Sequence, residues 1–335
     1  MIIETHSYPR AALIGNPSDG YFGKTIAFVF SNFHAKVQLY HTPELEIVPE
    51  RMDIDRFSTI EELASQVANN GYYGGIRLIK ASIKVFYHYC RSNNIVLDKR
   101  NFTVRYSSNI PLRLGLAGSS AIITACFKAL MAFYGVTILK PVLANLILSV
   151  ENNELGILAG LQDRVAQVYE TPIFMDFAKS LMEKQGYGNY TPLEVCDFPP
   201  LYIAFRRNLS EGTEILHNNL RARYNIGEQA VIDAMTEWSQ LTEQFMVALK
   251  SGDQTLMAQL INRNFDLRRS LVPIEPGNIE MVELARSTGA SAKFTGSGGA
   301  IIGTYTDDAM FERLKSVLHT KGIEVLKPEI VCKHD

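Results

Sequence analysis

The sequence predicts an α+β protein of two domains, and three observations carry that reading. At 335 residues, 47% hydrophobic and 20% charged, the chain holds more material than one compact core usually organises, with the composition of an average folded protein. Alternating runs rich in β-branched and aromatic residues take turns with stretches of helical apolar periodicity, so both strands and helices occur. Between Lys179 and Pro200 the pattern decays into Gly, Tyr, Asn and Pro and stops at Pro199-Pro200. That places a boundary between a domain of residues 1–195 and one of residues 196–335.

The opening residues alternate, and Ala11 to Ile14 stay apolar, as a buried strand does. Gly15-Asn16-Pro17-Ser18-Asp19-Gly20 is a dense set of turn formers. TIAFVFSNFHAKVQLY reads as one or two strands with a turn at Ser31-Asn32, and LEIV at 45–48 as another. Ser58 caps a predicted helix to about Asn69. Gly74-Gly75 introduce a second, with Ile76, Ile79, Ile83 and Phe86 on one stripe. Phe102, Val104 and Tyr106 share a strand face; helices are predicted over 119–135, 141–155 and 159–170, and a short strand over 173–177. Beyond the boundary LYIAF is a strand, followed by helices over roughly 226–250, 253–270 and 278–288. SAKFTGSGGAIIGTY gives two strands joined across Gly296-Ser297-Gly298-Gly299, and a helix over 307–321 and a strand over 323–327 finish the chain.

Charge and cysteine usage narrow the function. A net charge of -2, with no Lys/Arg block, offers no general attraction to nucleic acid or anionic membrane. Cys90, Cys126, Cys196 and Cys332 are scattered, without a CxxC pair or a His at metal spacing, which reads as reduced thiols. MIIETHSYPR lacks a basic start and a long apolar core. The most apolar run, Ala121 to Val136, is broken by Lys128 and is too short for a bilayer. The expectation is a soluble cytoplasmic protein with small-molecule partners, monomeric or homodimeric.

Four stretches can carry chemistry. In IPLRLGLAGSSAIITACFK, Gly115, Leu116, Ala117 and Gly118 lead into Ser119 and Ser120, which open a helix. Unpaired N–H groups and the positive helix end would favour a phosphate there, with Ser119 as cap and the Ser120 hydroxyl toward a cation; an ordinary capped turn also fits. Asp163 heads a helix with Val165, Val168 and Tyr169 inward, so it is either a dipole-stabilised carboxylate or a general base. Gly296-Ser297-Gly298-Gly299, after Lys293 and Thr295, is either a tight hairpin or a place where backbone meets ligand. Gly23-Lys24-Thr25 imitates the end of a Walker A loop, but Ser18 stands where that motif needs glycine, and a strand follows.

In this order, RAALIGNPSDGYFGKT at 10–25, PLRLGLAGSSA at 111–121 and KFTGSGGAIIG at 293–303 resemble the three motifs of the GHMP kinase family. The twelve-residue interval from Glu151 to Asp163 resembles the family's E-N-x-x-x-G…D arrangement. GNPSDGYFGKT, GYYGGIRL and ENNELGILAGLQDRVAQVY are most similar to its sugar-acid kinases. The resemblance implies a ribosomal-protein-S5-like N-terminal domain, a ferredoxin-like C-terminal α/β plait, and ATP- and Mg²⁺-dependent phosphorylation of a hydroxyl, here the anomeric hydroxyl of D-glucuronate. Another sugar (galactose, galacturonate, arabinose), a small alcohol, or a non-catalytic sensor are the alternatives.

By resemblance, residues 115–120 with Gly296, Ser297 and Gly298 hold ATP, and Ser120 and Glu151 hold the metal. Asp163 is the base. Arg10, which beside Pro9 would otherwise read as a surface arginine, orients it. Asn16, Asp19, Asp163 and Lys293 are the substrate residues. Galactokinases carry G-E-H where this chain has Gly15-Asn16-Pro17. Replacing that glutamate by Asn16 removes a carboxylate that would repel an acidic C6 group. A cation should also meet such a group, and Arg77, Arg164, Arg268, Arg269 and Lys293 are the candidates.

Overall fold

Three four-stranded sheets organise residues 2–50, 53, 59, 74–206 and 220–333, the part of the chain that the computed structural model describes. The helix predicted from Ser58 lies outside these residues. The first sheet has the order β1 (Ile2–Ser7), β4 (Ala35–Thr42), β6 (Asn101–Ser108), β5 (Glu46–Val48), with only β5 and β6 running parallel. The second, all antiparallel, has the order β2 (Arg10–Ile14), β3 (Lys24–Val29), β7 (Ile173–Asp176), β8 (Asn189–Pro192). The wholly buried β2 matches the continuous apolar run read from sequence. Helices α1 (Gly75–Ser92), α2 (Gly118–Tyr134), α3 (Lys140–Ser149) and α4 (Gln162–Tyr169) accompany these sheets, with a π turn at Val150–Glu154.

The third sheet has the order β10 (Lys293–Phe294), β11 (Ala300–Thr304), β9 (Leu201–Phe205), β12 (Glu324–Leu326). With α6 (Gln229–Ser251), α7 (Gln254–Leu271) and α8 (Pro276–Ser287) between β9 and β10, and α9 (Asp308–His319) before β12, this is the strand order of a ferredoxin-like plait. No helix among the described residues is long and apolar enough to cross a membrane.

One stretch departs from the sequence reading. Residues 179–200 are not patternless: α5 (Lys179–Gln185) and the edge strand β8 occupy them. β8 is Asn-Tyr-Thr-Pro, largely exposed, and an edge strand needs neither apolar alternation nor a full set of N–H donors.

α6 and α7 fold back onto β2 and β3, so Trp238, Phe245 and Met257 share one core with Ala11, Ile14 and Phe28. A second core under α8 and α9 gathers Tyr202, Phe265, Phe294, Ile301 and Leu314. Hydrogen bonds stitch the halves where β2 ends. The Ala12 N–H donates to the Thr295 carbonyl at 2.9 Å. The Gly15 N–H donates to Asn264 Oδ1 at 2.7 Å, and Asn264 Nδ2 donates to the Asn16 carbonyl at 3.2 Å. Residues from the two ends of the chain thereby surround one small region.

Candidate active site

Two glycine loops meet there backbone to backbone. Gly115 has φ +64° and Ala117 φ +60°, and Ala117, not Ser119, caps α2. The predicted Ser119 cap fails because the helix begins at Gly118, which puts Ser119 inside its first turn. The Ala117 carbonyl is claimed by Gln167 Nε2 at 2.9 Å and Ser120 Oγ at 3.1 Å. Among the described residues no side chain caps the first N–H groups of α2, which leaves the positive helix end for an anion.

Across from this turn, a Cβ on Gly115 would come within 2.9 Å of the Ser297 nitrogen, and one on Gly296 would collide with the Gly115 carbonyl. Only glycine permits this approach. Arg268, stacked over Phe294 at 4.5 Å, donates to the carbonyls of Gly296 (2.9 Å) and Ser297. Asn278 Oδ1 accepts from the Gly299 N–H at 3.1 Å. Arg268 is one of the five basic residues that the sequence offers for a substrate carboxylate; in the structure it holds the second loop.

A row of alternating charges runs beneath the loops. Arg10, buried rather than at the surface, donates from Nε to Asp163 Oδ1 at 2.7 Å, and its Nη2 lies 2.7 Å from the same oxygen. Its Nη1 donates to the Gly115 carbonyl at 3.2 Å and to the Thr295 carbonyl. One guanidinium therefore touches Asp163 and a carbonyl at each glycine loop. On the far side Arg164 donates to Asp163 Oδ2 at 3.2 Å, to the Gly160 carbonyl at 2.8 Å and to Glu151 Oε2 at 2.9 Å from Nε.

These contacts set the charge states. Burial pushes the Asp163 carboxyl up, but Arg10 and Arg164 outweigh it and hold the group below its ordinary value, ionised at neutral pH. Glu151, 2% exposed, is pushed up by burial, with Arg164 opposing. Lys293 is buried, donating to the carbonyls of Ala12 (2.7 Å) and Phe294 (2.8 Å), and burial with Arg10 and Arg268 nearby drives it far below the usual lysine value. It anchors β10 to β2.

The 15–21 turn forms the third wall. Its Asn16–Pro17 bond is cis. Asn16 is 8% exposed, and its side-chain oxygen accepts no hydrogen bond from the described residues. Asp19 lies against Gly160, where a Cβ would strike its carboxylate. Burial and the neighbouring Asp163 push Asp19 up to about 6. Ser120 and Glu151 complete the predicted set, Ser120 bonding within its own turn and Glu151 to Arg164; no hydrogen bond joins them.

The structure thus brings Arg10, Asp163, Asp19 and both glycine loops together around one locus. Gln162, Gln167 and Asn264, which order it, were missed because single amides on helices form no sequence pattern. A carboxylate held ionised by two arginines, a helix N-terminus without a side-chain cap and an unsatisfied amide form a set suited to transfer of a phosphoryl group to a hydroxyl.

Comparison with known proteins agrees with this chemistry. Residues 77–171 match the family model for the GHMP kinases N terminal domain, and residues 245–324 match that for GHMP kinases C terminal. Glucuronokinase 1 of Arabidopsis thaliana is 44% identical over 306 residues, 90% of this chain and 84% of that protein. Probable glucuronokinase 2 of the same plant is 46% identical over 308 residues, with the same coverage. Among solved structures, Streptococcus pneumoniae phosphomevalonate kinase in complex with phosphomevalonate and AMPPNP superposes with a TM-score of 0.76 at 14% identity, covering 98% of this chain and 100% of that one. Lactococcus lactis galactokinase complexed with galactose gives 0.71 at 16%, covering 98% and 94%. These two likenesses concern the fold.

Proposed function

Since the chain belongs to the GHMP kinase family of phosphotransferases, we propose that it moves the γ-phosphoryl group of ATP to the anomeric hydroxyl of D-glucuronate, giving D-glucuronate 1-phosphate. The observation that carries the reading is the Arg10 guanidinium, which contacts Asp163 and the carbonyls of Gly115 and Thr295 at once. It ties the base to both loops that border the nucleotide.

Residues 115–120 and Gly296, Ser297 and Gly298 take the phosphates through backbone N–H groups and the α2 dipole. Asp163, kept ionised by two arginines, orients the acceptor hydroxyl and takes its proton as the new O–P bond forms. Arg10 offsets negative charge developing beside it. Asp19 accepts from ring hydroxyls, and Asn16 gives an acidic C6 group a neutral neighbour.

The hydroxyl of Ser120 and the carboxylate of Glu151 are the oxygen donors that would hold Mg²⁺, which keeps most of its ligands as water and phosphate oxygens and so asks little of the protein. When bound, Mg²⁺ supplies charge neutralisation at the phosphates. We divide the chain at 195/196, since the strands of the first two sheets end at Pro192 and those of the third begin at Leu201. The free thiols Cys90, Cys126 and Cys332 accord with action in the cytoplasm.

A coupled assay of ADP release tests the function with glucuronate, galacturonate and galactose, with Asp163→Asn as control. Release that depends on glucuronate and vanishes in the control is expected. Equal release with and without sugar would refute it.

A further inference from the structure

A sugar acid carries a permanent negative charge into a site already holding Asp19 and Asp163, and something must answer it. The five basic residues suggested by sequence are engaged elsewhere. Arg164 bonds Glu151, Asp163 and the Gly160 carbonyl. Arg268 bonds two loop carbonyls, and Lys293 is buried on two more. Arg269 pairs with Glu283 at 2.8 Å on the surface. Arg77 sits exposed on α1 and has a partner of its own.

Arg221 differs from all of them. It lies in a helical stretch, residues 220–225, and is exposed. Its guanidinium rests over the Tyr21 ring, 4.6 Å from the centroid, and makes no hydrogen bond or ion pair among the described residues. A Cβ on Gly20 would come within 3.2 Å of its Nη2, so the guanidinium overhangs the turn that carries Asn16 and Asp19. Tyr224, three residues on, packs on the same Tyr21 ring at 4.8 Å, which seats this helix against the turn. The Tyr21 hydroxyl feels Arg221 and Asp19 with opposite sign, which puts both charges in its neighbourhood. A guanidinium held over an aromatic ring uses its face there and not its N–H donors, so the fork stays available for a carboxylate, which it can grip with two bonds.

We propose that Arg221, held on Tyr21, binds the C6 carboxylate of the substrate and so sets the preference for sugar acids, an inference that rests on the sugar-acid kinase function proposed above. Asn16, with its unbonded side-chain oxygen in the same turn, is the neutral companion of this contact.

The test uses the intact protein, with KM measured for D-glucuronate and for its uncharged amide, D-glucuronamide, alongside KM for ATP. Arg221→Met should raise KM for glucuronate about ten- to a hundredfold, the range of a charge-assisted hydrogen bond. The effect on the amide should be far smaller, so discrimination between acid and amide collapses; KM for ATP should hold. Arg221→Lys should recover part of the discrimination, and it serves alone if the methionine variant does not fold. A wild-type acid-to-amide ratio in either folded variant overturns the proposal. So does an equal rise for acid, amide and ATP, which would mean Arg221 only props Tyr21. Absence of glucuronate turnover in the wild type would instead overturn the function on which the proposal rests, and both would fall.

Discussion

Asp19→Asn separates the cost of a carboxylate to the fold from its use to the ligand. Burial and Asp163 raise this group from 3.8 to about 6. The folded chain therefore holds the proton more tightly than the unfolded chain does. The stability gained from protonation is complete below the unfolded value and lost as pH climbs through the folded one. Over 6 minus 3.8, at 1.36 kcal/mol per pH unit, the wild type at pH 8 gives up at most about 3 kcal/mol. Asn mimics the protonated form and escapes that loss. With an unfolding entropy near 2.1 cal/mol/K per residue over 335 residues, the gain corresponds to about 4 °C in Tm. Scanning calorimetry on both proteins at pH 8 and pH 5 checks it: the variant should melt higher at pH 8, and the gap should be roughly halved at pH 5. The same variant should lose sugar affinity. A gap that is constant with pH, or a variant that melts lower at pH 8, refutes the reasoning.

Four further outcomes follow. Asp163→Asn should cut kcat by about 10²- to 10⁴-fold in the ADP-release assay, the usual share of a positioned acid–base group. Gly296→Ala drives a methyl into the Gly115 carbonyl and toward Arg10, so KM for ATP should rise about tenfold or more while glucuronate affinity, by direct titration, changes less. Glu151→Gln leaves the buried Arg164 with one carboxylate fewer. It should destabilise the fold by about 3–5 kcal/mol in urea titrations and raise the Mg²⁺ concentration needed for half-maximal rate. Asn16→Glu sets a carboxylate against the substrate's own and should shift preference from glucuronate toward galactose in paired kcat/KM measurements.

The sequence was most informative where short-range pattern and chemistry coincide. β2 showed as an apolar run because both its faces are buried. The glycines at 115 and 296 were legible as loops, yet nothing in either segment said that the two would touch. Arg10 and Asp163 are 153 positions apart, so their pairing was reachable only through resemblance. Arg268 and Lys293 stood among the candidates for a substrate carboxylate because such a group should meet a cation, and sequence could not choose between them; the partners they show are carbonyls of the protein. Ser119 was read as a cap on residue preference alone, and the left-handed Ala117 took that place. Arg221 carried no local signal, since its meaning comes from Tyr21, two hundred positions earlier.

The row Glu151, Arg164, Asp163, Arg10 has an evolutionary consequence. Two acids and two bases sum to zero, so the buried string is neutral as long as every member stays. Losing any one leaves an odd charge that its neighbours must absorb, and the disturbance reaches from the π turn to the carbonyls of Gly115 and Thr295. Substitutions here should be strongly epistatic: harmful singly, tolerated in opposite-charge pairs, and hence rarely reached by one-step drift.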